Sequence, residues 1–146
     1  MIALLQRVTH AMLRIDGREY SRIGPGLVVL LGIEKDDDES RADRMLQRLL
    51  SYRVFADDEG RMNRSLRDVA GDLMLVSQFT LAASTDKGLR PSFSAAMPPD
   101  RAEQLYDYMV DKARTESGVT LATGRFGADM KVALENDGPV TFLLRG

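Results

Sequence analysis

Cysteine and tryptophan are absent from the 146 residues, and histidine occurs once, at His10. Without cysteine there is no disulfide frame, no thiolate nucleophile and no thiolate metal site. A Ser-His-Asp relay would have to run through His10, and a zinc site would have to be built mainly from carboxylates. Neither a metal nor a cofactor is therefore expected. No apolar run approaches the ~20 residues that span a bilayer. The opening MIALLQRVTH has neither the basic head nor the long apolar stretch of a signal peptide. A cytoplasmic protein with no membrane partner is expected. A net charge of −2 argues against coating nucleic acid through bulk electrostatics. It leaves room for contact with the end of an RNA, because twenty Lys and Arg can still form a local patch.

What is present is 44% hydrophobic sequence, enough for one compact domain over residues 1–146. Residues 2–15, the turn Asp16-Gly17 and residues 18–23 read as a β-hairpin. Gly24-Pro25-Gly26 breaks the pattern before Leu27-Val28-Val29-Leu30-Leu31, a strand buried on both faces. Ala42, Met45, Leu46, Leu49 and Leu50 recur at helical spacing. The acidic run over residues 36–40 before them suits the positive end of the helix dipole better than a magnesium site. Asp57-Asp58-Glu59-Gly60 makes a turn, and residues 73–81 form the next apolar strand. Pro98-Pro99-Asp100 starts a second helix, with Ala102, Leu105, Tyr106, Met109, Val110 and Ala113 on its apolar face. Strands over residues 119–123, 130–134 and 140–144 close the chain. The expected class is α+β: a curved, mostly antiparallel sheet or open β-barrel with two helices packed outside.

Two segments place polar or conformationally special residues where a plain core strand would not. Ser77-Gln78-Phe79-Thr80-Leu81 ends a strand with three hydrogen-bonding side chains. Asn136-Asp137-Gly138-Pro139-Val140-Thr141 carries Asp-Gly and Gly-Pro turn signals. Each alone reads as ordinary structure. As a pair, in this order, they resemble the signature of the D-aminoacyl-tRNA deacylase family. The likeness extends to Gln6-Arg7-Val8, Gly24-Pro25-Gly26-Leu27, Gly88, Arg90-Pro91-Ser92-Phe93 and Gly124-Arg125-Phe126-Gly127-Ala128-Asp129-Met130. Glu135, in place of an apolar residue, and Ala11-Met12-Leu13 depart from the family pattern without touching either motif.

The resemblance implies a hydrolase that removes D-amino acids from the aminoacylated 3′ end of tRNA. It also implies a homodimer with active sites at the subunit interface. Ser77, Gln78, Phe79 and Thr80 would line one subunit's catalytic pocket. Gly138 and Pro139 of the other subunit, joined by a cis peptide bond, would project into it, with Arg7 orienting them. Phe126 and Met130 would wall the adenosine and amino-acid site, although core packing explains Met130 equally well. Lys87, Arg90 and Arg125 read either as phosphate partners or as solvated surface charges.

An aminoacyl ester carries a neighbouring ribose hydroxyl able to assist water attack, so such an enzyme needs positioning more than acid-base power. Backbone amides around Phe79 and Thr80 are the expected oxyanion donors. Thr80 as nucleophile would need an adjacent base. If the carbonyls of Gly138 and Pro139 capture the substrate amino group, an L side chain collides with their backbone while a D side chain points to open space. Glycine would escape that exclusion, so glycyl-tRNA becomes an expected substrate. Two rivals remain at this level: an editor of L-seryl-tRNA, and a non-catalytic nucleic-acid-binding module.

Overall fold

A computed structural model of the chain describes residues 1–86 and 88–146. The elements are β1 (Ile2–Ile15), β2 (Arg18–Ile23), β3 (Gly26–Gly32), α1 (Glu39–Ser51), β4 (Phe55–Ala56), β5 (Met62–Arg64), β6 (Asp72–Ser77), α2 (Pro99–Glu116), β7 (Leu121–Thr123) and β8 (Lys131–Arg145), with one 3-10 turn, Phe79–Ala82, after β6. β1 and β2 form the expected hairpin, paired from Ala11↔Ile23 to Ile15↔Arg18. One edge of β1 is shared between β2 and β3, and its other edge is covered along nearly its whole length by β8. β3, β6 and β7 then follow as parallel neighbours. Parallel neighbours need a long crossover. Here α1 lies in the connection from β3 to β6, and α2 in the connection from β6 to β7. The α+β reading holds, with a sheet antiparallel around β1 and parallel beyond β3.

The apolar run of β3 is buried on both faces, as its composition requires. Leu27, Val29 and Leu31 face a core shared with Leu73 and Leu75 of β6 and with both helices. Every apolar-face residue expected on α1 and α2 is buried there. Val28, Met74 and Val76 face the opposite way, into a second cluster with Val8, Leu13, Ala122 and inward residues of β8. The sheet therefore curls around the second cluster and carries the helices on its outside. Each fully buried Leu or Val contributes about 1.5–3 kcal/mol relative to exposure.

The structure differs from the sequence reading in three places. The strand expected over residues 73–81 stops at Ser77: the Gln78 amide closes the ladder with β3 by donating to Leu31 O at 2.7 Å, and the chain then winds into the 3-10 turn. The segments 130–134 and 140–144 are not separate strands but two halves of β8, since both pair with β1. The acidic run divides its work. Asp38 caps α1 by accepting from the Arg41 amide at 2.8 Å. Asp37 is instead a buried ion-pair partner, accepting from the Met1 ammonium at 2.6 Å and from the Glu34 amide at 2.7 Å.

Candidate active site

The end of β6 decides where the site forms. Ser77 is the last residue in register with β3, opposite Leu31. The 3-10 turn that follows packs directly on Gly32. A Cβ at Gly32 would lie 2.8 Å from Leu81 Cβ, 3.2 Å from Gln78 O and 3.4 Å from Ala82 N, so only hydrogen fits beneath the turn. Within the turn, Leu81 N donates to Gln78 O and Ala83 N to Thr80 O, each at 3.2 Å. Among the described residues, the amides of Phe79 and Thr80 meet no backbone acceptor. They are the free donors that open any helical turn.

In front of the turn lies a cavity of about 950 Å³. Its walls are Ser77, Gln78 and Phe79, the start of α2 at Pro98, Pro99 and Ala102, the connection carrying Phe126 and Met130, and Val132 and Leu134 of β8. Leu30, Val76, Met130, Val132 and Leu134 belong also to the second core cluster, so the cavity is the open mouth of the curled sheet. Phe79 and Phe93 meet at its rim with ring centroids 5.1 Å apart and planes tilted by 46°, and both are exposed. Phe126 is backed by Tyr106 at 6.0 Å between centroids. The Tyr106 hydroxyl donates to Leu75 O at 2.9 Å. Burial pushes its phenol well above the usual range, and the bonded hydroxyl holds the ring as a support behind Phe126.

Five of the expected site residues, Ser77, Gln78, Phe79, Phe126 and Met130, thus share one cavity. Thr80 sits on the same turn, outside the lining, and its hydroxyl accepts from Gln78 Nε2 at 2.6 Å. His10 is elsewhere: it is exposed on β1, with Nδ1 3.0 Å from Thr9 Oγ1, which donates to Glu135 Oε1 at 2.6 Å. His10 is therefore not placed to serve Thr80 as a base; the carboxylate that lines the cavity, Asp129, is paired with Lys131 Nζ at 2.9 Å. Among the described residues there is also no group of three or more His, Cys, Asp and Glu placed to hold a metal ion. Of the three cationic candidates, Lys87 lies outside the described residues. Arg90 is exposed away from the lining. Arg125 lines a separate cleft of mixed charge, with Arg114, Glu103, Asp107 and Asp111.

Arg7, Gly138 and Pro139 form a second group, outside the cavity lining. Between the pairs Gln6↔Thr141 and Val8↔Asn136, β1 contributes only Arg7 while β8 contributes residues 137–140. The surplus residues rise as a bulge with Gly138 and Pro139 exposed at its apex. The Gly138-Pro139 bond is cis, and Gly138 has φ +140°, a region that favours glycine. Arg7 Nε donates to Asp137 O at 3.0 Å, and Nη1 donates to Val54 O at 2.6 Å. The guanidinium thereby ties the foot of the bulge to the exit of α1. Sequence reasoning missed Phe93 and the α2 start as cavity walls. It also missed Gln6, whose signal was a polar side chain interrupting an apolar strand.

A family model described as D-Tyr-tRNA(Tyr) deacylase matches residues 4–145. The chain belongs to this family. It is 57% identical over 145 residues to a D-aminoacyl-tRNA deacylase of Cronobacter sakazakii (strain ATCC BAA-894), covering 99% of each chain. A D-aminoacyl-tRNA deacylase of Escherichia coli O1:K1 / APEC is 55% identical over 145 residues, again with 99% of each chain covered. Among solved structures, c-Myc DNA Unwinding Element Binding Protein superposes with a TM-score of 0.94 at 38% identity, covering 100% of this chain and 99% of that one. A probable eukaryotic D-amino acid tRNA deacylase superposes with a TM-score of 0.86 at 20% identity, covering 98% of this chain and 97% of that one; this likeness shows the fold alone. The D-Tyr-tRNA(Tyr) deacylase family model thus spans both the 3-10 turn and the bulge of β8.

Proposed function

We propose that this chain hydrolyses the ester of D-aminoacyl-tRNA, releasing the D-amino acid and free tRNA, with catalysis assisted by the tRNA itself. Family membership makes it a deacylase and a hydrolase of tRNA editing. The observation that carries the mechanism is the 3-10 turn at the cavity, whose Phe79 and Thr80 amides meet no backbone acceptor among the described residues and whose Phe79 lines the cavity, while the one histidine lies elsewhere and the lining carboxylate Asp129 is paired with Lys131. Water adds to the ester carbonyl, and the developing oxyanion takes hydrogen bonds from these amides. The ribose oxygen then leaves with a proton, while the neighbouring ribose hydroxyl helps to orient the water. One such donor contributes typically ~2.7–4 kcal/mol to the transition state. Phe126 and Met130 wall the terminal adenosine and the amino acid.

Stereochemistry is read by Gly138 and Pro139 of a second copy, which makes the working unit a homodimer. Two features support this. The two residues stand exposed, outside their own subunit's cavity. Among the described residues, β8 has a ladder partner on one edge only, and it exposes Phe142 and Leu143 near the bulge. An unpaired strand edge with apolar neighbours suits a partner chain. The carbonyls of Gly138 and Pro139 hold the substrate amino group, an L side chain clashes with their backbone, and glycine passes. The tRNA 3′ end is the substrate, and the reaction belongs in the cytoplasm.

The test is deacylation of matched D-tyrosyl-, L-tyrosyl-, glycyl- and L-seryl-tRNA by the purified protein, with and without chelator. D-Tyrosyl and glycyl esters are expected to be cleaved, L-tyrosyl and L-seryl esters spared, and chelator without effect. Cleavage of L-seryl-tRNA with D-tyrosyl-tRNA untouched would reverse the reading, and inhibition by chelator would end its metal-free form. Thr80→Ala is expected to keep deacylation within about tenfold of the wild type, since it removes the hydroxyl and leaves the amide. Complete loss with intact folding and tRNA binding would make Thr80 the nucleophile.

A further inference from the structure

The bulge of β8 leaves main-chain groups without ladder partners, and one side chain, Asn136, supplies both of Val140's. Asn136 Oδ1 accepts from the Val140 amide at 2.6 Å. Asn136 Nδ2 donates to Val140 O at 3.3 Å and to Thr141 Oγ1 at 2.9 Å. The donating Val140 N–H requires Oδ1 on its side, so the amide's orientation follows from the network. Val140 is the residue on which the apex rests. Its side chain is buried, and a Cβ at Gly138 would lie 2.7 Å from Val140 Cγ2 and 3.0 Å from Val140 N. Arg7 pins the opposite foot of the bulge at Asp137 O. With Asp137 and Val140 both fixed, Gly138 and Pro139 project as a rigid apex.

We infer that Asn136 is a positioning residue for the Gly138-Pro139 element, and that the enzyme's preference for D over L esters depends on its carboxamide. The inference rests on the proposed role of that element in reading stereochemistry. Exclusion of an L side chain by backbone atoms needs those atoms placed to within a fraction of an ångström, and a bulge without ladder bonds does not place itself. Asn136 touches no substrate in this scheme. It acts through Val140.

The experiment compares Asn136→Ala and Asn136→Asp with the wild-type chain on D-tyrosyl- and L-tyrosyl-tRNA, with kcat and KM measured for each. Folding is followed by circular dichroism. Asn136→Ala removes all three bonds; Asn136→Asp keeps the acceptor for the Val140 amide but sets a carboxylate oxygen against Val140 O. The D-to-L ratio of kcat/KM is expected to fall at least tenfold in the alanine variant and by an intermediate factor in the aspartate variant. General destabilisation would lower both activities together and leave the ratio unchanged. A ratio within twofold of wild type in either variant that folds overturns the inference; if the alanine variant does not fold, the aspartate variant decides. A wild-type enzyme with no enantiomer preference removes the underlying reading instead, so the two failures are told apart by the control.

Discussion

Gly138→Ala is expected to lower kcat/KM for D-tyrosyl-tRNA by about 10²-fold and to narrow the gap between D- and L-tyrosyl esters, while the subunit stays folded. Gly138 has φ +140°, which an alanine tolerates poorly. The added methyl would lie 2.7 Å from Val140 Cγ2, 3.0 Å from Val140 N and 3.3 Å from Arg7 Nη2. Val140 and Arg7 are themselves held, by Asn136 and by Val54 O and Asp137 O. Little nearby can give, so the apex moves, and a misplacement of about 1 Å at a positioning group can cost ~10²-fold. The bulge lies at the surface and the new methyl meets the core only at Val140, so the rest of the core clusters should be spared. Steady-state kinetics on both enantiomers, beside a thermal melt, separates the effects. Wild-type D-activity with unchanged discrimination would show that Gly138 does not face substrate.

Much of the scaffold was legible because burial writes itself into local periodicity. Ala42, Met45, Leu46, Leu49 and Leu50 mark one helical face, and all are buried. Leu27 to Leu31 form an unbroken apolar run, and the strand is covered on both sides. Residues 136–141 show the limit. Their Asp-Gly and Gly-Pro pairs signal a turn, yet the flanking segments share one partner strand, so the chain bulges without reversing. A window of sequence cannot see that both halves lie on β1. The end of β6 misleads for the same reason, since the 3-10 turn that ends it packs on Gly32 of β3, far away in sequence. Asp37 looked like a dipole partner, but it is paired with the Met1 ammonium at 2.6 Å and with Arg41 at 3.4 Å. The cavity residues Ser77 to Phe79, Phe126 and Met130 were reached through family resemblance. Phe93, Pro98 and Pro99 join them only through tertiary packing.

Gly32→Ala tests the oxyanion assignment where no side-chain deletion can, because the proposed donors are main-chain amides. Gly32 lies on β3, behind the turn and outside the cavity lining. The new methyl would press on Leu81 Cβ at 2.8 Å, Gln78 O at 3.2 Å and Ala82 N at 3.4 Å. All three atoms are backbone or directly attached to it along the turn that presents the Phe79 and Thr80 amides, so relief comes by shifting the turn. Loss of one aligned donor lowers kcat by about 10²–10³-fold. A fall of about 10²-fold in kcat is therefore expected, with KM for D-tyrosyl-tRNA nearly unchanged because Phe126 and Met130 remain in place. Overpacking costs typically ~1–3 kcal/mol of stability, so the assay belongs well below the melting transition. Set beside Thr80→Ala, this variant separates backbone from hydroxyl: a large kcat loss at Gly32 with a small one at Thr80 assigns the chemistry to the amides. The opposite pattern would move it to the hydroxyl.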